Sequence, residues 1–419
     1  MKKTKIYKLK NGPKVVLYQD TSKHCTIASL FVMFGGKNKK VIVNNECYSI
    51  CDGMAHFIEH FLIENSKYGN ALVMFNKKNT NMNGYTSRDV TEYFIDSIDN
   101  FKSDLEKLIN IVNNVNFSIN DIEETKKAII KEKMMSKDSN FRDLEKIDYE
   151  CLFKNIKYPN ILGEVADIKT INYDMVKFCY DIFYQIQNQM LIVSGNFKIR
   201  EIEKIIKDVY SNFDRNKIKY NIPKMIENNS ILLKEKCIFK NIHIDYVRLN
   251  YKINIEDLSN EERLKLDFYL EYFLSFLFDS ASKVYNYLVS SKICLYDIDY
   301  SCSKIDDFFV LKIGTATNKH NEFITLINDA IRKKNINRKA FERRKRKSII
   351  NIIMREDSLF NTVNPFIENI IKFNCDRIDK VEDIQKQSFN DYKKCILNLD
   401  FSNMSVTKML KMEENSDFN

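Results

Sequence analysis

Tryptophan is absent from this chain, and its 419 residues include only four prolines, nine glycines and five histidines. No stretch approaches the roughly 18 consecutive apolar residues that a spanning helix needs, so no membrane span is expected. The basic start Met1-Lys2-Lys3-Thr4-Lys5 is followed at 6–20 by alternating apolar and polar residues with an Asn-Gly-Pro turn, and not by the apolar core of a secretory leader. Ten cysteines contain no Cys-x-x-Cys pair. That argues against a disulfide framework and for free thiols in a reducing compartment, so a cytoplasmic location is expected. Cys47 and Cys51 closely precede the most informative segment and read first as small buried thiols. The formal charge of +9 comes from 66 bases interspersed with 57 acids. With no arginine-rich or aromatic-interleaved patch standing out, nucleic acid is not an expected partner. Lys-, Asn- and Ile-rich usage reads as coding bias. What remains is a globular composition, 44% hydrophobic, long enough for two domains with separate cores.

The segment that carries chemistry is His56-Phe57-Ile58-Glu59-His60. Residues i, i+3 and i+4 of a helix are neighbours on one face, so two imidazoles and a carboxylate meet there. Two neutral imidazoles bind zinc, and a carboxylate beside them can take a proton from the metal's water. A plain amphipathic helix is the bland alternative, and Met54, Phe57, Ile58, Phe61 and Leu62 are apolar enough for it. With five histidines in the chain, such a triad arises by chance in on the order of one chain in a few hundred. A structural zinc site closes all four positions, usually with thiolates, whereas a catalytic one has three protein ligands and an open corner. Two histidines plus one carboxylate fit the catalytic kind. Glu132, in the helical run 122–135 and 72 residues beyond His60, is the best donor. Glu123 and Glu124 compete on composition, although acids at a helix start also suit the macrodipole.

In the order His-x-x-Glu-His the chain resembles the pitrilysin/insulinase family of zinc peptidases. Lys10-Asn11-Gly12-Pro13-Lys14-Val15-Val16-Leu17 is similar to that family's opening hairpin, and 34–38 (FGGKN) to its glycine-containing stretch before the metal helix. Gly53-Met54-Ala55 leads into His56 as the family's Gly-x-Ala-His does. Asn83-Gly84-Tyr85-Thr86-Ser87, followed by 89–94, resembles the Asn-Ala-x-Thr strand pair, with Gly84 in place of Ala. Ile129-Ile130-Lys131-Glu132 matches the segment that supplies the third ligand, and Leu152-Phe153 and 192–196 resemble the close of the first half. Two departures stand out. The spacing to Glu132 is shorter than the roughly mid-seventies typical of this class, and Thr125 occupies the place of a supporting glutamate two turns before the third ligand.

The resemblance implies one Zn²⁺ per chain held by His56, His60 and Glu132, with Glu59 as general base. It implies that Asn83 and Gly84 lie along an edge strand that takes up the peptide substrate. The implied activity is endopeptidase cleavage of peptides or unfolded leader segments inside a chamber of two bowl-like halves. The alternative is a non-catalytic scaffold or partner-binding subunit of a heterodimeric peptidase. Segments 284–288 and 295–296 resemble the part of the second half where homologues carry an Arg and a Tyr that grip the peptide. Here Tyr296 is kept and Val289 takes the Arg position. That points to a second family subunit supplying the grip, or to a homodimer.

Alternation places strands at 5–10, 14–19, 26–34, 81–87, 90–97 and 189–194. Helical periodicity covers 101–112, 119–137, 140–154, 174–185 and 199–212. Polar residues 216–235 read as a linker between a zinc-bearing domain, 1–215, and a second domain, 236–419. In the second, strand-like 236–253 precedes a helix at 259–278, where 268–274 (FYLEYFL) sits over 56–62 (HFIEHFL) with both histidines replaced by aromatics. This reads as an inactive copy of a duplicated domain. The expected class is α+β: two tandem homologous domains, each a mostly antiparallel sheet packed by helices, a metallohydrolase fold of the pitrilysin/insulinase type.

Overall fold

A computed structural model describes residues 2–10, 12–135, 140–213, 217–355, 357–376 and 381–412. Asn11 of the opening hairpin, 136–137 of the expected helix 119–137, and the ends of the expected segments at 1, 214–216 and 413–419 lie outside the described residues. The chain divides into two compact units, Met1–Asp138 with Pro159–Lys224, and Ser139–Tyr158 with Met225–Asn419. No helix among the described residues is long and apolar enough to cross a membrane.

In the first unit, β1 (Lys2–Lys8), β2 (Lys14–Asp20), β3 (Thr26–Val32), β4 (Lys40–Val43) and β5 (Glu46–Ser49) precede α1 (Met54–Glu64) and α2 (Ala71–Asn76). β6 (Asn81–Thr86) and β7 (Thr91–Ser97) lead into α3 (Phe101–Asn113) and α4 (Ile119–Met135). The next helix, α5 (Asn140–Leu152), belongs to the second unit. The first unit resumes with α6 (Val165–Thr170), α7 (Tyr173–Phe183), β8 (Gln189–Gly195), α8 (Ile199–Tyr210) and β9 (Tyr220–Asn221). Its main sheet runs β1-β2-β8-β3-β7-β6, antiparallel except for β2 against β8. β6 is therefore an edge. β3 and β8 are buried along their whole lengths, as interior strands covered on both faces must be.

The second unit contains β10 (Glu235–Lys240), β11 (Tyr246–Asn254), α9 (Asn260–Phe278), α10 (Lys283–Ser290), β12 (Asp299–Ile305) and β13 (Phe308–Ala316). It continues with α11 (His320–Lys333), α12 (Arg338–Arg355), α13 (Leu359–Phe373), α14 (Val381–Gln385), α15 (Phe389–Asn398) and β14 (Met404–Lys411). Its sheet runs β10-β14-β11-β13-β12, again with a single parallel pair, β10 against β14. Matching β2, β8, β3, β7 and β6 with β10, β14, β11, β13 and β12 reproduces every neighbour and every strand direction. α1 and α9 then occupy the same interval of the same topology, and the tandem homologous α+β domains follow.

Two domain assignments differ from the sequence reading. α5, expected within 1–215, packs on β10, β11 and β14. Its Asp148 is fully buried and accepts from Arg248 Nη1 at 2.8 Å, Asn250 Nδ2 at 2.9 Å and Thr407 Oγ1 at 2.6 Å. The stretch expected as a linker contains β9, which pairs with β4, and the units divide at Lys224/Met225.

Candidate metal centre

α1 begins after Gly53, whose φ of 83° is left-handed. A Cβ there would lie 3.0 Å from the Leu162 carbonyl oxygen, so this entry to the helix requires glycine. Phe57, Ile58, Phe61 and Leu62 are wholly buried. Each contributes roughly 1.5–3 kcal/mol by leaving water, and together they fix the helix's rotation. His56, Glu59 and His60 consequently share one side, with His56 and Glu59 only 7% and 5% exposed.

α4 packs on α1 through a stripe of Ile122, Thr125 and Ile129. Glu132, two turns beyond Thr125, returns to within about 20° of the same direction. Its Oε2 lies 3.2 Å from His60 Nε2 and 3.7 Å from His56 Nε2. One ligand atom from each of the three residues falls within 4.8 Å of the others. Donors placed 2.0–2.1 Å from a tetrahedral zinc would stand about 3.3 Å apart. Glu132 Oε2 is buried and has no hydrogen-bond partner among the described residues. An orphaned carboxylate oxygen facing two imidazole nitrogens fits a divalent cation, and the donor set is the one zinc takes.

The two histidines are supported unequally. His60 Nδ1 lies 3.3 Å from Glu64 Oε1, one turn further along α1. Burial pulls the His60 pKa down, but Glu64, Glu59 and Glu132 outweigh it and the net shift is upward. Burial, reinforced by His60, holds His56 down to about 3, the neutral form a metal needs. His56 Nδ1 is buried with no hydrogen-bond partner among the described residues. Thr125, where the resemblance places a supporting glutamate, is wholly buried. Its hydroxyl donates to the Asp121 carbonyl at 2.9 Å and accepts from Asn65 Nδ2 at 3.3 Å.

Glu59 points to β6. Its Oε2 accepts a 2.5 Å hydrogen bond from Thr86. Burial pushes its pKa up to about 6, against the lowering effect of Thr86 and His60. Gly84 makes room for this carboxylate, because a Cβ there would stand 2.6 Å from Glu59 Oε1 and 2.7 Å from Ile63 Cδ1. Gly84 and Thr86 are two apart on one strand and so address the same side.

The remaining expected residues are placed as follows. Asn83 is exposed on the edge strand, and its Oδ1 accepts from the Gly84 N–H at 2.8 Å. Tyr296 belongs to the second unit, between α10 and β12, and is 67% exposed; Val289, near the end of α10, is exposed too. Glu123 and Glu124 face solvent and pair with Lys126 and Lys127, which leaves Glu132 as the candidate third donor. Among the described residues none of the ten cysteines forms a disulfide; Cys47 is exposed and not buried, and burial pushes the Cys51 thiol up to about 11. Glu64 and Thr86 were not among the residues expected at the site. The i+4 spacing from His60 and the two-residue step from Gly84 were the signals available for them.

Models of two protein families match the chain: insulinase (Peptidase family M16) over residues 15–155 and the Peptidase M16 inactive domain over 170–348. A Bacillus subtilis (strain 168) protein named as an uncharacterized zinc protease, YmfH, is 28% identical over 292 residues, spanning 67% of this chain and 66% of that protein. Among solved structures, an M16-like peptidase from Alicyclobacillus acidocaldarius matches with a TM-score of 0.88 at 18% identity, over 98% of this chain and 99% of that one. The periplasmic protease PqqL from Escherichia coli matches with a TM-score of 0.77 at 16% identity, over 97% of this chain and 47% of that one. At these identities the solved structures speak for the fold. With family matches in both halves, the chain belongs to peptidase family M16, the insulinase family, and its second half is the domain type named inactive.

Proposed function

We propose that this chain is a zinc-dependent endopeptidase acting on peptides or unfolded leader segments. The observation that carries the reading is the meeting of Glu132 Oε2 with two Nε2 atoms from a separate helix. His56, His60 and Glu132 would hold one Zn²⁺, which when bound supplies a Lewis acid for the scissile carbonyl and a water of lowered pKa. Glu59 serves as the proton carrier. Thr86 engages Oε2, so Oε1 is the atom left to take a proton from the attacking water and return it to the leaving amine. Among the described residues β6 is an unpaired sheet edge beside it. An extended peptide adding to that edge would run past Asn83 and Gly84, with its backbone hydrogen bonds supplying affinity regardless of sequence.

The match to less than half of the longer PqqL chain, together with Val289 in place of the expected Arg, supports action as one of a pair, with a second family subunit or another copy. Tyr296 would then belong to the substrate grip. Ten cysteines with no disulfide among the described residues support a reducing, cytoplasmic setting. The test is Glu59→Gln. Zinc content should stay at one per chain by elemental analysis while cleavage of a fluorogenic peptide library falls by about 10²–10⁴-fold. Unchanged cleavage eliminates Glu59 as the proton carrier, and zinc without cleavage by the wild type, alone or with its partner, leaves a scaffold.

A further inference from the structure

The second unit contains a cavity of about 600 Å³ that the peptidase reading does not use. Phe276 and Leu277, from the last turn of α9, form its floor with Val284 and Leu288 of α10 and Leu326 and Ala330 of α11. Leu277 and Leu288 are buried, while Phe276, Val284, Leu326 and Ala330 are partly open. Such a wall of aliphatic and aromatic carbon gains by covering. Its volume falls within the range of about 300–1,000 Å³ typical of small-ligand sites, and its walls come from four separate helices.

The rim is cationic. Among the described residues, Lys283, Lys333, Lys339 and Arg343 line it against a single acid, Asp329, which pairs with Lys333 at 3.2 Å. Lys339 and Arg343 are one turn apart on α12 and therefore face the same way. Among the described residues, Lys283, Lys339 and Arg343 have no carboxylate partner. An apolar floor beneath three uncompensated cations calls for a ligand with an apolar body and one anionic end.

We propose that this cavity binds a small amphipathic carboxylate, with its hydrocarbon on the Phe276, Leu288 and Leu326 wall and its carboxylate among Lys283, Lys339 and Arg343. The proposal does not depend on peptide hydrolysis, because binding is measured without turnover. The probe is decanoate, titrated calorimetrically into the full chain at about 0.15 M salt, where distant charges are screened and only close ones count. Acetate tests the need for the apolar body, and decyltrimethylammonium tests the need for negative charge. Decanoate should saturate one site per chain, and the other two should show no saturation. Ala330→Trp fills the cavity and should abolish binding. The double change Lys339→Glu with Arg343→Glu alters only exposed side chains, so it keeps the fold, and should weaken binding on the order of tenfold. Circular dichroism and thermal melting check that both variants are folded. The proposal fails if decanoate does not saturate at millimolar concentration, if decyltrimethylammonium binds as well, or if the charge reversal leaves the affinity unchanged.

Discussion

Thr86 donates a 2.5 Å hydrogen bond to Glu59 Oε2, linking an edge strand to the metal helix. A hydrogen bond to a carboxylate favours its charged form, so Thr86 holds the Glu59 pKa below the level that burial alone would set. Thr86→Val keeps the shape and removes the donor. The Glu59 pKa should then rise, and a proton acceptor works only when deprotonated. The acid limb of the kcat/KM profile should therefore move to higher pH, with the loss greatest below neutrality and part of the rate recovered in alkaline buffer. Zinc content should not change. A profile that falls uniformly without shifting would assign Thr86 a packing role instead.

Glu64 addresses His60 Nδ1 at 3.3 Å. An acceptor on Nδ1 keeps the proton there, which leaves the Nε2 lone pair directed at the Glu132 side of the site. Glu64→Ala should weaken zinc binding by about 10–100-fold, measured by competition with a chromophoric chelator. The metal-free protein should melt nearly as before, because the Glu64 side chain is 31% exposed. An unchanged zinc affinity would show that His60 is oriented by packing alone.

The metal helix was legible because its chemistry lies in five consecutive residues whose spacing already fixes their mutual geometry. Strands and long helices were legible for the same reason: period 2 and period 3.6 are local properties. The membership of α5 was not. Amphipathicity says which face of a helix is buried and not against what, and Asp148, the residue that decides the matter, reads in sequence as one more helix acid. The hairpin of β4 and β5 had a signal that went unread, Asn44-Asn45, whose φ values of 51° and 68° are those of a tight hairpin turn. Thr125 marked in sequence the place where the supporting glutamate of the resemblance is missing. The counterpart, Glu64 beside His60, emerged only from the side-chain positions. Charge counted over the whole chain hid a local concentration: α12 alone contains eight basic residues and one acid.

Gly84 admits the Glu59 carboxylate, and that tolerance is narrow. A methyl group at residue 84 would meet Glu59 Oε1 at 2.6 Å and Ile63 Cδ1 at 2.7 Å. Gly84→Ala should force the carboxylate to rotate away from Thr86. The expected result is a fall in kcat on the order of tenfold with little change in KM, since misplacing a reacting group penalises the transition state. Combining it with Thr86→Val should cost little more than Gly84→Ala alone, because both disturb one contact. Fully additive losses would mean that the two residues act on Glu59 separately.

Asp148 joins α5 to the second unit's sheet, and its removal tests how that unit is built. The wholly buried carboxylate faces Arg248 at 2.8 Å and Lys312 at 3.5 Å, as well as the hydrogen bonds from Asn250 and Thr407. Breaking a buried pair by deleting one partner strands the other charge, which typically costs about 3–5 kcal/mol. Asp148→Ala should lower the unfolding free energy by about that amount in urea titrations. Asp148→Asn, which preserves hydrogen-bonding capacity but not charge, should fall between it and the wild type. Because Arg248 and Lys312 are 10% and 13% exposed, neither can regain full hydration without moving α5. Protection of the 140–152 amides from hydrogen exchange should therefore drop together with stability. Loss of stability with those amides still protected would place the damage in the sheet and not at the helix.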